Sequence, residues 1–243
     1  MRFLCLHGRG TNSNILESQL APLSSRFSAQ HSFDFLDAEC PCPGAPGVAG
    51  IYPAPYLSWY KRGSPEEVQS AHDYLISAIE EDGPYDGVIA FSEGAALAAS
   101  LLLCDQSELS EARFKIAILF NCVVPLVPVA DLGQPLEEIV AGHVDSYHDL
   151  LFSNSQSAVE QTACLDQAFA FSPEGLRKIS IPTIHVIGEK DPFAPSSEVV
   201  VNLCEQDLTQ VLRHAGGHEL PSVAALLDQC AEIIETAIIL SGI

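Results

Sequence analysis

Short runs of branched and aromatic residues recur along the whole chain, at Phe3 to Leu6, Phe33 to Leu36, Gly87 to Phe91, Ile116 to Phe120, Thr183 to Ile187 and Thr209 to Leu212. Each has the length and composition of a buried strand. Helical patterns lie between several of them, at Pro65 to Glu81, Gly94 to Leu103 and Pro195 to Cys204, and a last helix is expected from Pro221 to about Leu240. Parallel neighbours in a sheet need a long crossover, and a helix is its usual form. The alternation therefore predicts an α/β fold with a mostly parallel central sheet and helices on both faces. At 243 residues, 47% of them hydrophobic, the chain can bury the core of one such domain spanning 1–243.

Two stretches fall outside the alternation. Asp37 to Gly63 gathers Pro41, Pro43, Pro46, Pro53 and Pro55 with Tyr52, Tyr56, Trp59 and Tyr60. That composition suits a stiff loop lined with rings, one wall of a pocket, so Trp59 and Tyr60 are expected to touch substrate. The second stretch, within 123–180, reads as a small lid or pocket insertion, with helical segments at Leu136 to Phe152 and Ala158 to Phe169. The same apolar residues would also serve as ordinary packing onto the sheet.

Charge and cysteine usage exclude more than they identify. Eleven basic residues stand against 32 acidic ones, a net charge of −21 that repels phosphate backbones and anionic lipid surfaces. No nucleic-acid partner and no membrane insertion are expected, and no apolar run reaches membrane-spanning length. The eight cysteines form no paired CxxC framework, so no zinc site is expected. Met1 leads almost at once into the strand-like Arg2 to Leu6, without a secretory leader, which predicts a reduced, cytoplasmic protein whose cysteines are mostly small core residues.

The chemistry is carried by Asp86-Gly87-Val88-Ile89-Ala90-Phe91-Ser92-Glu93-Gly94-Ala95-Ala96, a buried strand running into small residues and then an apolar helix. A bare Ser-x-Gly reads as a helix N-cap. A serine between such a strand and helix reads instead as a nucleophile held on a sharp turn, with small neighbours two residues away on each side so that strand and helix can approach. Ala90 stands where the usual motif has its first glycine, and Gly94 keeps the second. A hydroxyl becomes a useful nucleophile only when an imidazole accepts its proton and a carboxylate orients that imidazole. Asp191, just beyond the strand Thr183 to Ile187, and His218, beyond the last strand in Gly216-Gly217-His218, supply both in the chain order Ser, Asp, His. Asp191 also reads as a cap for the next helix, and His214 competes locally with His218 but stands nearer the strand end. Leu6-His7-Gly8-Arg9-Gly10-Thr11 after the first strand matches an oxyanion-hole loop, with Arg9 N–H and Glu93 N–H as the expected donors. Its rival reading is a glycine turn needed only for packing.

Taken together, Leu4 to Gly8 with Gly10-Thr11-Asn12, Gly83 to Gly87, Phe91 to Ala96, Gly188 to Pro192 and Gly216 to His218 make the chain resemble, over nearly its whole length, the fungal serine hydrolases called FSH, a branch of the α/β-hydrolases. The resemblance implies a metal-free esterase or thioesterase without a cofactor. It also implies relatives that release polyketide acyl chains from carrier domains of fungal synthases, which makes a hydrophobic acyl substrate on an acyl-carrier domain the expected partner. Ala90 departs from the family's glycine and Glu93 from its common glutamine; the Glu93 side chain is expected to point away from the site and contribute only its backbone amide. Two other readings stand beside a trans-acting thioesterase: a carboxylesterase for small esters, and a non-catalytic module that shelters a ligand or holds a synthase partner.

Overall fold

A computed structural model describes residues 1–27, 29–104, 113–126, 178–240 and 242. Six strands, β1 (Arg2–Leu6), β2 (Ser32–Leu36), β5 (Gly87–Phe91), β6 (Ile116–Phe120), β7 (Thr183–Gly188) and β8 (Thr209–His214), form one sheet in the order β2-β1-β5-β6-β7-β8. Every neighbouring pair is parallel. The chain steps from β1 to β2 on one side and then crosses to β5 on the other, so the direction of winding reverses between β1 and β5. Loops leaving the carboxyl ends of two such strands diverge to opposite faces and open a crevice, which is where sheets of this kind bind ligands.

Side chains alternate between the two faces of these strands, and both faces are covered. Leu4, Leu6, Val88, Ala90, Ala117 and Leu119 pack with α2 (Pro65–Asp82), α3 (Glu93–Cys104) and Val200 of α4 (Ala194–Asn202). Phe3, Cys5, Ile89, Ile116, Ile118, Phe120, Ile184 and Val186 pack with α1 (Ser13–Ser24) and α5 (Ala224–Leu240). The expected strands are all present, and the expected helices differ from those observed by a few residues at their ends.

Helix α1 was not legible from periodicity, because Pro22 lies inside it. An interior proline costs a helix about 3 kcal/mol. Ile15, Leu16, Leu20 and Leu23 are buried and contribute about 1.5–3 kcal/mol each on that scale, which outweighs it. The Asn12 side chain caps the helix by accepting the Ile15 N–H at 2.9 Å. The Pro-rich stretch contains a short antiparallel pair, β3 (Cys40–Pro41) with β4 (Leu57–Ser58). An antiparallel bridge between Thr11 and Leu57 ties this strap to the loop after β1. The helical segments expected at 136–152 and 158–169, and most of the lid that contains them, lie outside the described residues. None of the described helices is long and apolar enough to cross a membrane.

Candidate active site

Strand β5 delivers Ser92 to the carboxyl edge of the sheet, beside the winding reversal. Its backbone has φ of 56°, a left-handed conformation that a residue with a Cβ adopts at a cost of about 1–3 kcal/mol. The conformation persists because both sides of the turn are held: Ser92 N–H donates to Phe120 O at 3.0 Å, and Ser92 O accepts Ala96 N–H in the first turn of α3. The size rule behind the sequence motif is visible directly. A Cβ on Gly94 would sit 2.5 Å from Leu6 O and 2.6 Å from His7 O, so only glycine lets α3 start this close to β1. Ala90 is in register between Leu6 and Leu119 and is 1% exposed, so its methyl fits where the family's glycine stands.

The loops after β7 and β8 bring the other two predicted residues to this serine. His218 Nε2 lies 2.8 Å from Ser92 Oγ, and His218 Nδ1 lies 2.7 Å from Asp191 Oδ2. An ionised carboxylate only accepts, so Nδ1 carries the proton and Nε2 presents its lone pair to the serine hydroxyl. The Asp191 side chain is fully buried, whereas that of His218 is 25% exposed, which leaves the imidazole reachable from outside. The rival reading of Asp191 as the cap of the next helix does not hold, since α4 starts after Phe193 without a side-chain cap; the Asp191 Oδ1 instead accepts the Phe193 N–H at 2.8 Å in a turn just ahead of α4. The imidazole is flanked by the Phe91 ring at 5.2 Å and, edge-on, by the Phe193 ring at 5.1 Å. His214 ends β8 and accepts the Gly216 N–H through Nδ1.

The two loops touch closely. Glu189 N–H donates to His214 O and Lys190 N–H to Gly216 O, and a Cβ on Gly188 would fall 2.2 Å from Gly217 O. Between them sits Asn121, which the sequence reading passed over. Its Oδ1 accepts the Gly188 N–H at 2.8 Å, and its Nδ2 donates to Glu219 O at 3.0 Å and to Gly217 O at 3.3 Å. The residue has φ of 44° and is 1% exposed. The only hint in the sequence is a polar residue placed directly after the apolar strand Ile116 to Phe120, at the edge where functional residues collect.

On the other side of Ser92, the loop after β1 packs against the serine: a Cβ on Gly8 would come 3.1 Å from Ser92 Cβ. Glu93 opens α3, where a helix leaves its first N–H groups without intrahelical acceptors. The Glu93 side chain turns toward the strap of β4, with its carboxylate on Ser58 and Trp59. It is buried there, 2% exposed, accepting the Trp59 N–H at 3.0 Å and facing Ser58 Oγ at 2.9 Å. Arg9 is its counter-ion at 3.4 Å, and burial, opposed by that charge, raises the carboxyl pKa.

Trp59 and Tyr60 are also more enclosed than expected, at 4% and 3% exposure. The Trp59 indole N–H donates to His7 O at 2.8 Å, which places the ring behind the loop after β1. Both residues line a cleft of about 200 Å³ together with Glu39, Cys40, Glu66, Glu67 and Tyr74. Three glutamates stand in its wall beside these rings, and Ser92, Asp191 and His218 are not among its lining residues.

Comparison with known proteins is consistent with this geometry. The family described as Serine hydrolase (FSH1) matches residues 1–230. Hydrolase FUB4 of Gibberella moniliformis is 32% identical over 98% of this chain and 99% of its own length. Esterase alnB of Emericella nidulans is 29% identical, covering 92% of this chain and 91% of its own. Among solved structures, esterase PE8 superposes with a TM-score of 0.57 at 17% identity, covering 97% of this chain and 92% of that one. A carboxylesterase from Mesorhizobium loti gives 0.55 at 16%, covering 95% and 88%. The two solved structures share the α/β-hydrolase fold, and the match over residues 1–230 assigns the activity class: the chain belongs to the FSH1 family of serine hydrolases.

Proposed function

We propose that Ser92, His218 and Asp191 are a catalytic triad that hydrolyses acyl thioesters or esters through an acyl-enzyme. The observation that carries the reading is one imidazole bonded to both partners, at 2.8 Å to the Ser92 hydroxyl and 2.7 Å to the Asp191 carboxylate. Nε2 takes the hydroxyl proton as Ser92 Oγ bonds to the acyl carbon, and the imidazolium returns that proton to the leaving thiolate or alkoxide as the bond to it breaks. Asp191 stabilises the imidazolium. Water then attacks the acyl-enzyme with the same base, releasing the carboxylic acid and restoring the Ser92 hydroxyl. The N–H groups of Arg9 and Glu93 receive the carbonyl oxygen as it becomes negative, each contributing about 3 kcal/mol to the transition state.

A trans-acting thioesterase, releasing a polyketide or similar hydrophobic acyl chain from an acyl-carrier domain in fungal secondary metabolism, is the specific role we favour. It rests on the family resemblance. The Phe91 and Phe193 rings beside His218 give the acyl end of such a substrate an apolar surface. A carboxylesterase for small esters is the second reading, favoured by the fold shared with carboxylesterases. Rates on acyl thioesters and matched oxygen esters decide between them: a thioester preference that grows with chain length supports the first, and parity on short esters the second.

Fluorophosphonate labelling tests the triad itself. The folded chain should be modified stoichiometrically at Ser92, and Ser92→Ala should fold normally while turnover drops on the order of 10⁶-fold. A folded protein that stays unlabelled, or a Ser92→Ala variant with near-normal turnover, excludes the mechanism.

A further inference from the structure

The triad makes no use of a part-buried charge pair, Arg9 with Glu93, whose two members carry the backbone amides assigned to the oxyanion. Arg9 and Glu93 lie 84 residues apart in the chain, on the loop after β1 and at the first position of α3. Their side chains meet at 3.4 Å, and the arginine Nη1 also lies 2.7 Å from Ser58 Oγ and 2.9 Å from Tyr60 O. Both glutamate oxygens face Ser58 Oγ, at 3.1 and 2.9 Å, and one accepts the Trp59 N–H. The strap of β4 that supplies these partners is itself bonded to the loop after β1: Gly10 N–H donates to Leu57 O, Leu57 N–H to Thr11 O, and the Trp59 indole to His7 O.

We propose that the Arg9–Glu93 pair, closed over Ser58, positions the oxyanion hole by holding its two donor residues in fixed relation to each other; this rests on the hydrolase reading above. The physical reason lies in the geometry an oxyanion hole needs. Its amides must already point at the place where negative charge appears, and here they come from segments with no covalent neighbour in common. A link between the side chains of the same two residues restrains both peptide planes from behind, without entering the site. Burying this carboxylate raises its pKa and opposes its ionisation, and the arginine beside it favours the charged form that holds the link. Buried ion pairs contribute little net stability compared with apolar packing, and fixing a unique arrangement is the use to which such a pair is suited. Both residues are positioning residues in this role, because their side chains touch neither the acyl carbon nor the leaving group.

In the full chain, Arg9→Met, Glu93→Gln and the double variant test this with a para-nitrophenyl acyl ester. The value of kcat is divided by the fraction of protein that a fluorophosphonate titrates at Ser92. Each single variant should lose about tenfold in kcat per titrated site with KM changed less than about threefold, and the double variant should lose no more than the worse single. Arg9→Lys, which keeps the charge at one point, should regain part of the loss. A merely structural role would lower the titrated fraction and the melting temperature but leave kcat per titrated site alone. Should Arg9→Met fail to fold, Glu93→Gln and Arg9→Lys decide by the same measure.

Values of kcat per titrated site within about twofold of the unmodified protein in both single variants, or losses that multiply in the double, overturn the proposal. Failure of the hydrolase reading looks different, since an unmodified protein that is neither titrated nor active removes both at once. Full turnover in the unmodified protein with indifferent variants removes only the role of the pair.

Discussion

Among the described residues, two serine–histidine contacts have the same length and sit in opposite chemical situations. At the edge of the sheet, His218 Nε2 lies 2.8 Å from Ser92 Oγ; in the core between α2 and α3, His72 Nε2 lies 2.8 Å from Ser100 Oγ. The core serine donates its hydroxyl proton to Leu126 O, so it accepts from His72, and the proton lies on the nitrogen. The edge serine faces an imidazole whose Nδ1 is held by Asp191, which leaves Nε2 as the acceptor. Ser100 is fully buried on a regular helix, whereas Ser92 lies on a strained turn next to a part-exposed imidazole. Distance alone therefore does not identify a nucleophile. The direction of the hydrogen bond is what separates the two pairs, and the group behind the histidine sets it.

The largest effect should come from removing that group. Asp191→Asn keeps the shape but donates toward Nδ1 and favours the wrong tautomer, making the edge pair resemble the core pair; turnover should fall about 10⁴-fold. Ser100→Ala should leave kcat within about twofold, and its cost should appear as lower stability, about 1–3 kcal/mol for a buried donor left unpaired. Steady-state kinetics beside urea unfolding separates the two. A Ser100→Ala variant as inactive as Asp191→Asn would erase the distinction.

This difference was largely written in the sequence. Strand, small residues and helix around Ser92, the Ser, Asp, His order and the glycines beside His218 each answer a local steric or chemical demand that leaves a short-range mark. The parallel sheet was legible for the same reason: a run such as Ile116 to Phe120 has one use in a chain this long. What escaped depends on contacts between distant segments. That the Glu93 carboxylate would be buried was not legible, because the counter-ion that offsets the cost of burying it lies 84 residues away. Trp59 and Tyr60 were read as pocket wall from composition, which does not reveal that the indole is bonded behind the loop after β1. Helix α1 was concealed by Pro22, whose local cost is outweighed by tertiary burial.

The next effect concerns stability and the core histidine. Burial lowers the pKa of His72 to about 4, and that of His185, against Cys204, also to about 4, from an ordinary value of 6.5. Between those values the unfolded chain binds protons that the folded chain refuses, so stability falls as pH drops from 6.5 toward 4, by about 3 kcal/mol per histidine. Glu93 works in the opposite sense, since its pKa is raised in the fold and protonation there favours the native state. The net acid loss should nevertheless carry the sign of the two histidines. Urea midpoints across this range should decline less steeply in His72→Gln than in the unmodified protein; equal slopes would show that His72 is not a neutral core group.

The smallest expected effect tests what frames the edge pair and has no counterpart around the core pair. Asn121 clips the acid loop at Gly188 to the histidine loop at Gly217 and Glu219, on either side of His218. Asn121→Ala removes the clip and leaves a methyl at φ of 44°, and Asn121→Gly removes the same bonds but relieves the strain. If the hydrogen bonds are what orient the imidazole, both variants should lose about tenfold in kcat with little change in KM, and only the alanine variant should suffer the further loss of stability that a left-handed residue brings. Full turnover in Asn121→Gly would mean that backbone contacts between the loops, Glu189 to His214 and Lys190 to Gly216, suffice to hold His218 against Ser92. The orienting influence would then reduce to the carboxylate of Asp191, which sets the direction of this hydrogen bond opposite to that of its twin in the core.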